Sequence, residues 1–161
     1  MLLYTQPNVK HFRYRFTLKV YRASGGTLVA HIPVGDIPAT IERLRHVNNR
    51  RGVEVFVHEV HISTAELMGI YTFDGKKLRR AGAFFYGGYD AGLRFGFTCH
   101  RGTPATIVQD QFSLSSLKAP HIWHHMATSY RWAGATLKQG ASRTTIFKGS
   151  SPPRSRVGVH C

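Results

Sequence analysis

The sequence predicts an all-β fold: an antiparallel β-sandwich of jelly-roll type with one short helix in an early connection. Three observations predict it. His11 to Arg22, HFRYRFTLKVYR, alternates, with Phe12, Tyr14, Phe16, Leu18 and Val20 on one parity and His11, Arg13, Arg15, Thr17, Lys19 and Tyr21 on the other. Side chains alternate across a strand, so one face is apolar and the other mostly cationic. Eight or nine β-type segments follow one another, with turn signals every 8–12 residues, the spacing of a sandwich. Only one stretch carries helical spacing.

In order, residues 1–9 read as a lead-in broken by Pro7-Asn8. The basic strand 11–22 follows, and Ser24-Gly25-Gly26 turns the chain. TLVAHIPV, Thr27 to Val34, is apolar on both faces and reads as a buried strand, although Pro33 argues against a central ladder position. Asp36 as N-cap and Pro38 in the first turn open the expected helix. Ile37, Ile41, Leu44 and Val47 give it one apolar face, and Gly52 can end it. VEVFVHEVHI, Val53 to Ile62, reads as a central strand. Thr64 to Met68 reads as a turn or short helical connection, and Gly69 to Phe73 as a strand before the hairpin signal Asp74-Gly75. Strands are expected at Ala81–Tyr86, Leu93–Phe97, Thr103–Val108, Ile122–Trp132, Ala135–Leu137 and Thr144–Phe147, with a long polar connection from Gln109 to Pro120. The expected organisation is one domain over 1–148 and a mobile basic Ser/Pro/Arg tail over 149–161.

A chain of 161 residues is long enough to bury a core, and 42% hydrophobic content excludes a disordered chain. Lys plus Arg number 22 against 8 acidic residues, a formal charge of +14. That exceeds the magnitude of roughly 2–8 expected of a small soluble domain, and it points to a polyanionic partner. The two cysteines are Cys99 and Cys161. With Cys161 expected on a mobile tail, no structural disulfide is expected, and a reducing interior suits the chain at least as well as secretion. No signal-peptide pattern and no run of ~20 apolar residues is present, so no membrane partner is expected.

The ten histidines are the first candidates for chemistry. His121, His124 and His125 would share a helix face. On a strand His121 and His125 sit ~13 Å apart, and His124 points the other way, which does not suit a tetrahedral metal site. His58 and His61 face opposite sides of their strand. Cys99 and His100 are neighbours that point apart, no acidic pair suggests acid–base work, and the Gly pairs read as turns. No catalytic residue, metal or cofactor is expected, and no enzyme.

Arginine and lysine carry the stronger signal. Arg13, Arg15 and Lys19 share a strand face. Arg43, Arg45, Arg50 and Arg51 line the expected helix and its exit, and Lys76, Lys77, Arg79 and Arg80 decorate a hairpin. Arg143, Lys148, Arg154 and Arg156 belong to the C-terminal part. Each cluster alone could be a solvated face; together they suit an extended phosphate backbone. Tyr21 among them could stack on a base.

The stretch Thr27 to Val60, preceded by FRYRFTLKVYR, is similar in layout to small viral jelly-roll capsid proteins: an apolar strand, a Gly/Pro turn, a short helix and another strand. It lacks the arginine-rich N-terminal arm of many of them. A second stretch, Gly92 to Gln139, resembles the laminin-G or concanavalin-like lectin sandwich, its WHH-V-A-x-x-Y strand matched by Trp123, His124, His125, Met126, Ala127 and Tyr130. The acidic calcium and sugar ligands have no counterpart here. The first resemblance implies a structural capsid subunit that binds nucleic acid, RNA ahead of DNA, and assembles with other copies of itself or other subunits. Its expected location is a virion or a cytoplasmic ribonucleoprotein assembly. The alternatives are a ribosomal or other ribonucleoprotein subunit and a laminin-G-like module for anionic glycan or protein.

Overall fold

A computed structural model describes the chain except residues 1, 11–12, 36–38, 49–51, 61–64, 89–91, 103, 117 and 119, and it leaves aside the side chains of 2–10, 13–15, 35, 60, 65 and 88. The described residues are all-β with antiparallel sheets. They cluster into two compact units, 1–46 with 50–85 and 47–49 with 86–161.

Unit 1 is a sandwich of two sheets. One has the order β1 (Leu2–Lys10), β2 (Arg13–Tyr21), β3 (Leu28–Gly35); the other runs β4 (Ala39–Arg45), β5 (Val53–Val60), β6 (Ala65–Phe73), β7 (Leu78–Gly88). β7 leaves the unit after Phe85. Leu18, Val20 and Val34 of the first sheet bury against Ala39, Val55, Val57, Tyr71, Phe73 and Leu78 of the second. The alternation read in the sequence is the cause in β2: Leu18 and Val20 face the core, and Lys19 faces away. β5 is apolar on both faces as expected of a central strand, with Val55, Phe56 and Val57 fully buried.

The core of unit 1 also holds a carboxylate. Glu59 is 1% exposed. It accepts the Tyr71 hydroxyl at 2.5 Å and the Arg80 guanidinium at 2.6 Å, while Arg80 lies over the Tyr71 ring, 5.8 Å from its centroid. A buried charge survives only when paired and hydrogen-bonded. Gly69 makes the room, since a Cβ there would fall on Glu59 Oε1.

Unit 2 is a five-stranded sheet in the order β11 (Thr136–Lys148), β10 (Ile122–Ala133), β9 (Thr106–Ser116), β8 (Leu93–His100), β12 (Gly158–His160). Within each sheet every neighbouring pair is consecutive in the chain, apart from β12, which pairs parallel with β8. These are meander orders; a jelly roll would carry Greek-key crossings.

Several expectations are corrected. The expected helix is a strand over Ala39–Arg45, paired antiparallel with β5; Asp36, Ile37 and Pro38 lie outside the described residues. The register shifts between Ile41 and Arg43, leaving Glu42 as the extra residue of a bulge. Ile41 and Leu44 thereby stand opposite Val57 and Val55, two residues apart on one face of β5. The bulge turns a spacing of three, read as helical, into a same-face strand spacing.

Residues 2–9 of the expected lead-in form most of β1, the expected connection after Gln109 belongs largely to β9, and Ala65–Met68 begins β6. The expected mobile tail packs back onto unit 2, as a 3-10 turn at Arg154–Arg156 and as β12. Cys161 bonds to Cys99, its Cα 4.7 Å away, because β12 lies beside β8. Gly96 permits the approach, since a Cβ there would strike the Arg156 carbonyl.

Candidate nucleic-acid interface

Two turns meet at one end of unit 1. The β6–β7 hairpin closes through the Asp74 N–H and the Lys77 carbonyl, and Asp74 Oδ1 accepts the backbone N–H groups of Lys76 and Lys77 at 2.9 and 2.8 Å. These bonds, that from Lys77 first, hold the Asp74 carboxyl below its ordinary range. The Asx turn leaves the Lys76 and Lys77 side chains exposed at the tip. The β2–β3 turn lies beside it. Tyr21, Arg22 and Ala23 join Phe73 and Gly75 in lining a hollow of about 230 Å³. Gly52, the residue before β5, lies against the base of the hairpin: a Cβ there would meet the Phe73 carbonyl, and its φ of 138° is one that glycine tolerates.

Arg45 reaches the same end through the sheet register. It stands opposite Glu54, which stands opposite Thr72, one residue before Phe73 and the hairpin. At ~4.8 Å per strand, Arg45 is about 10 Å from Thr72. Arg22, Arg45, Lys76, Lys77 and Arg79 are all exposed. Two acidic groups lie near them among the described residues: Asp74, 3.8 Å from Arg79, and the buried Glu54 opposite Arg45. Tyr21 lines the hollow beside Arg22, an aromatic ring next to cations, the combination that binds single strands by stacking and charge.

The other sequence-predicted cations are distributed as follows. Arg43 is exposed two residues before Arg45. Lys19 is partly exposed on β2. Arg13 and Arg15 lie in β2 opposite Lys10 and Asn8, their side chains outside the described set, and Arg50 and Arg51 lie outside the described residues altogether. Arg80, expected on the cationic surface, turns to Glu59. Arg154 and Arg156 are exposed in unit 2, where Arg156 Nη1 is 4.0 Å from Asp110 Oδ1. Arg22 is the cation that the sequence reading did not single out. Its position next to the turn Ser24-Gly25-Gly26 was the available signal.

Among the described residues, two histidines have acidic partners. His58 Nε2 is 3.1 Å from Glu66 and its Nδ1 3.8 Å from Glu42. His125, 7% exposed, sits 2.6 Å from Asp110, stacks on Phe112 with centroids 4.5 Å apart, and has Thr145 Oγ1 at 3.3 Å. His125 and Thr145 are directly paired residues of β10 and β11, so the hydroxyl contact is ordinary cross-strand packing. Among the described residues no three of His, Cys, Asp and Glu come together to hold a metal ion.

Comparison with known proteins finds no matching family model, no matching curated protein and no matching solved structure.

Proposed function

We propose that the chain is a structural, basic subunit of a nucleoprotein assembly and that it binds nucleic acid through phosphates, without reading bases. The observation that carries this reading is the gathering of Arg22, Arg45, Lys76, Lys77 and Arg79 at one end of unit 1, with Tyr21 beside them. Such a cluster neutralises several phosphates at once and releases their counterions. RNA is the first partner, since single strands offer bases to a tyrosine. A virion coat subunit is the first form of the assembly. The Cys99–Cys161 disulfide supports it over a cytosolic ribonucleoprotein, because disulfides persist at virion surfaces and not in the reduced cytosol.

The test is binding of a labelled 20-nucleotide RNA by fluorescence anisotropy across a salt series. Log affinity should fall linearly with log salt, and each of Arg45→Ala, Lys76→Ala and Lys77→Ala should reduce the slope by roughly 1. A slope unchanged in the triple variant would sink the reading. The disulfide also favours a second reading, an extracellular module for anionic glycan of the laminin-G-like kind. Heparin binding that RNA cannot displace would select it.

A further inference from the structure

β11 is the outer strand of the unit 2 sheet, so among the described strands none lies beyond it. Its 13 residues are exposed except Leu137 and Phe147, which are half-buried. An edge of this length is a template for another strand. Charged residues on an edge usually repel such pairing, and β11 carries Lys138, Arg143 and Lys148 with no acidic residue. Two observations say that these cations are placed to receive something.

The first is apolar. Ile146 is 63% exposed and Met126 of β10 is 39% exposed. His124 is opposite Ile146 and Met126 opposite Thr144, so Ile146 and Met126 lie diagonally on one face. A strand built only to repel partners would not display its bulkiest aliphatic side chain there. The second is electrostatic. Arg131 stands directly opposite Lys138, a like-charge cross-strand pair that is unfavourable by itself. Among the described residues, no carboxylate lies within ion-pair distance of Arg131, Lys138, Arg143 or Lys148.

We propose that β11 is a docking edge for an extended acidic segment of a partner protein, which adds to the sheet as a sixth strand through main-chain hydrogen bonds. Charge complementarity chooses the occupant. A second copy would bring another all-cationic β11 on a chain of charge +14. An RNA backbone would satisfy the cations and leave the edge N–H and C=O groups and Ile146 without a match. Opposed residues of paired strands share a face, so the register specifies the partner. Running antiparallel to β11, it places acidic residues opposite Lys148 and Arg143 and an apolar residue opposite Ile146. Read from its N-terminal end, the pattern is an acidic residue facing Lys148, an apolar residue two positions on, and a second acidic residue three positions after that. This edge belongs to unit 2 and does not rest on the nucleic-acid reading of unit 1.

The test uses the full chain and a fluorescein-labelled synthetic peptide of threonine with valine at the apolar position and glutamate at the acidic ones. A control peptide has lysine for glutamate. The glutamate peptide should bind and the lysine peptide should not. Arg143→Glu should weaken binding about tenfold or more, the scale of one lost charge contact. Ile146→Ser, a surface change that leaves the fold intact by circular dichroism, should weaken it too. Hydrogen exchange supplies the backbone readout: bound peptide should slow about every second amide of β11, those pointing outward. Equal binding of the two peptides, or binding that leaves β11 amides unprotected, overturns the proposal. So does a single-stranded RNA that protects the same amides.

Discussion

Replacing Arg80 by methionine tests the buried carboxylate of unit 1. The variant keeps much of the apolar stem and removes the guanidinium that lies 2.6 Å from Glu59 Oε2. Glu59 then loses its guanidinium partner, while keeping the Tyr71 hydroxyl, in a site where its side chain is 2% exposed. Removing one partner of a buried pair costs about 3–5 kcal/mol. The Arg80 side chain is 42% exposed, so water can take part of its place. About 2–3 kcal/mol is the expected loss once that screening is counted. For a chain of this size that is roughly 4–12 °C in the unfolding midpoint. Both tryptophans, Trp123 and Trp132, belong to unit 2. Tryptophan fluorescence therefore reports the other unit and serves as an internal control, while amide exchange of β5 and β6 reports unit 1. A second variant removes the charge as well: Glu59→Gln with Arg80→Met should recover most of the loss, because the uncompensated charge is gone. A loss below about 0.5 kcal/mol in the single variant, or a double variant less stable than the single one, would refute the ion-pair account.

Three further outcomes are expected. Burial, then the hydrogen bond to Glu59 and its charge, push the Tyr71 hydroxyl well above the ordinary tyrosine value, with the Arg80 charge opposing. A group raised in the folded state stabilises below its unfolded value and loses that contribution above it, so unit 1 should weaken as pH rises beyond about 10, less steeply in Tyr71→Phe; urea titrations at pH 9 and 11 measure this. Reducing Cys99–Cys161, which closes a separation of 62 residues, should lower unit 2 stability by up to about 4 kcal/mol on the chain-entropy account, visible in tryptophan fluorescence with and without reductant. Gly96→Ala drives a methyl into the Arg156 carbonyl and should accelerate amide exchange in β12 while leaving β10 and β11 protected.

Local periodicity was legible where burial has the strand's own period. Leu18 and Val20 are buried as their parity predicts, and the two-faced apolar run of β5 is central as predicted. It misled at β4, because a bulge at Glu42 reproduces helical spacing in an extended chain, and only pairing with Val57 and Val55 reveals it. The three-residue β12 gave no periodic signal. Its place depends on Gly96 in another strand, 62 positions before Gly158 in the parallel register. The cationic clusters were legible one by one. Their convergence was not, because it follows from sheet register and from two turns that meet at one end. Arg80 shows the converse: its neighbours in sequence are surface cations, and its partner Glu59 is 21 positions away.

The one parallel pairing has a kinetic side. Every other strand pair joins chain neighbours, so both meanders can zip from their turns with short loops to close. β12 must wait for a finished β8, and it closes the longest loop among the paired strands. Contact order of that kind sets the slow end of folding. Until Cys161 bonds to Cys99, the three residues of β12 would then be the last piece of the sheet to lock and the first to open, so formation of that bond records that unit 2 has already reached its native order.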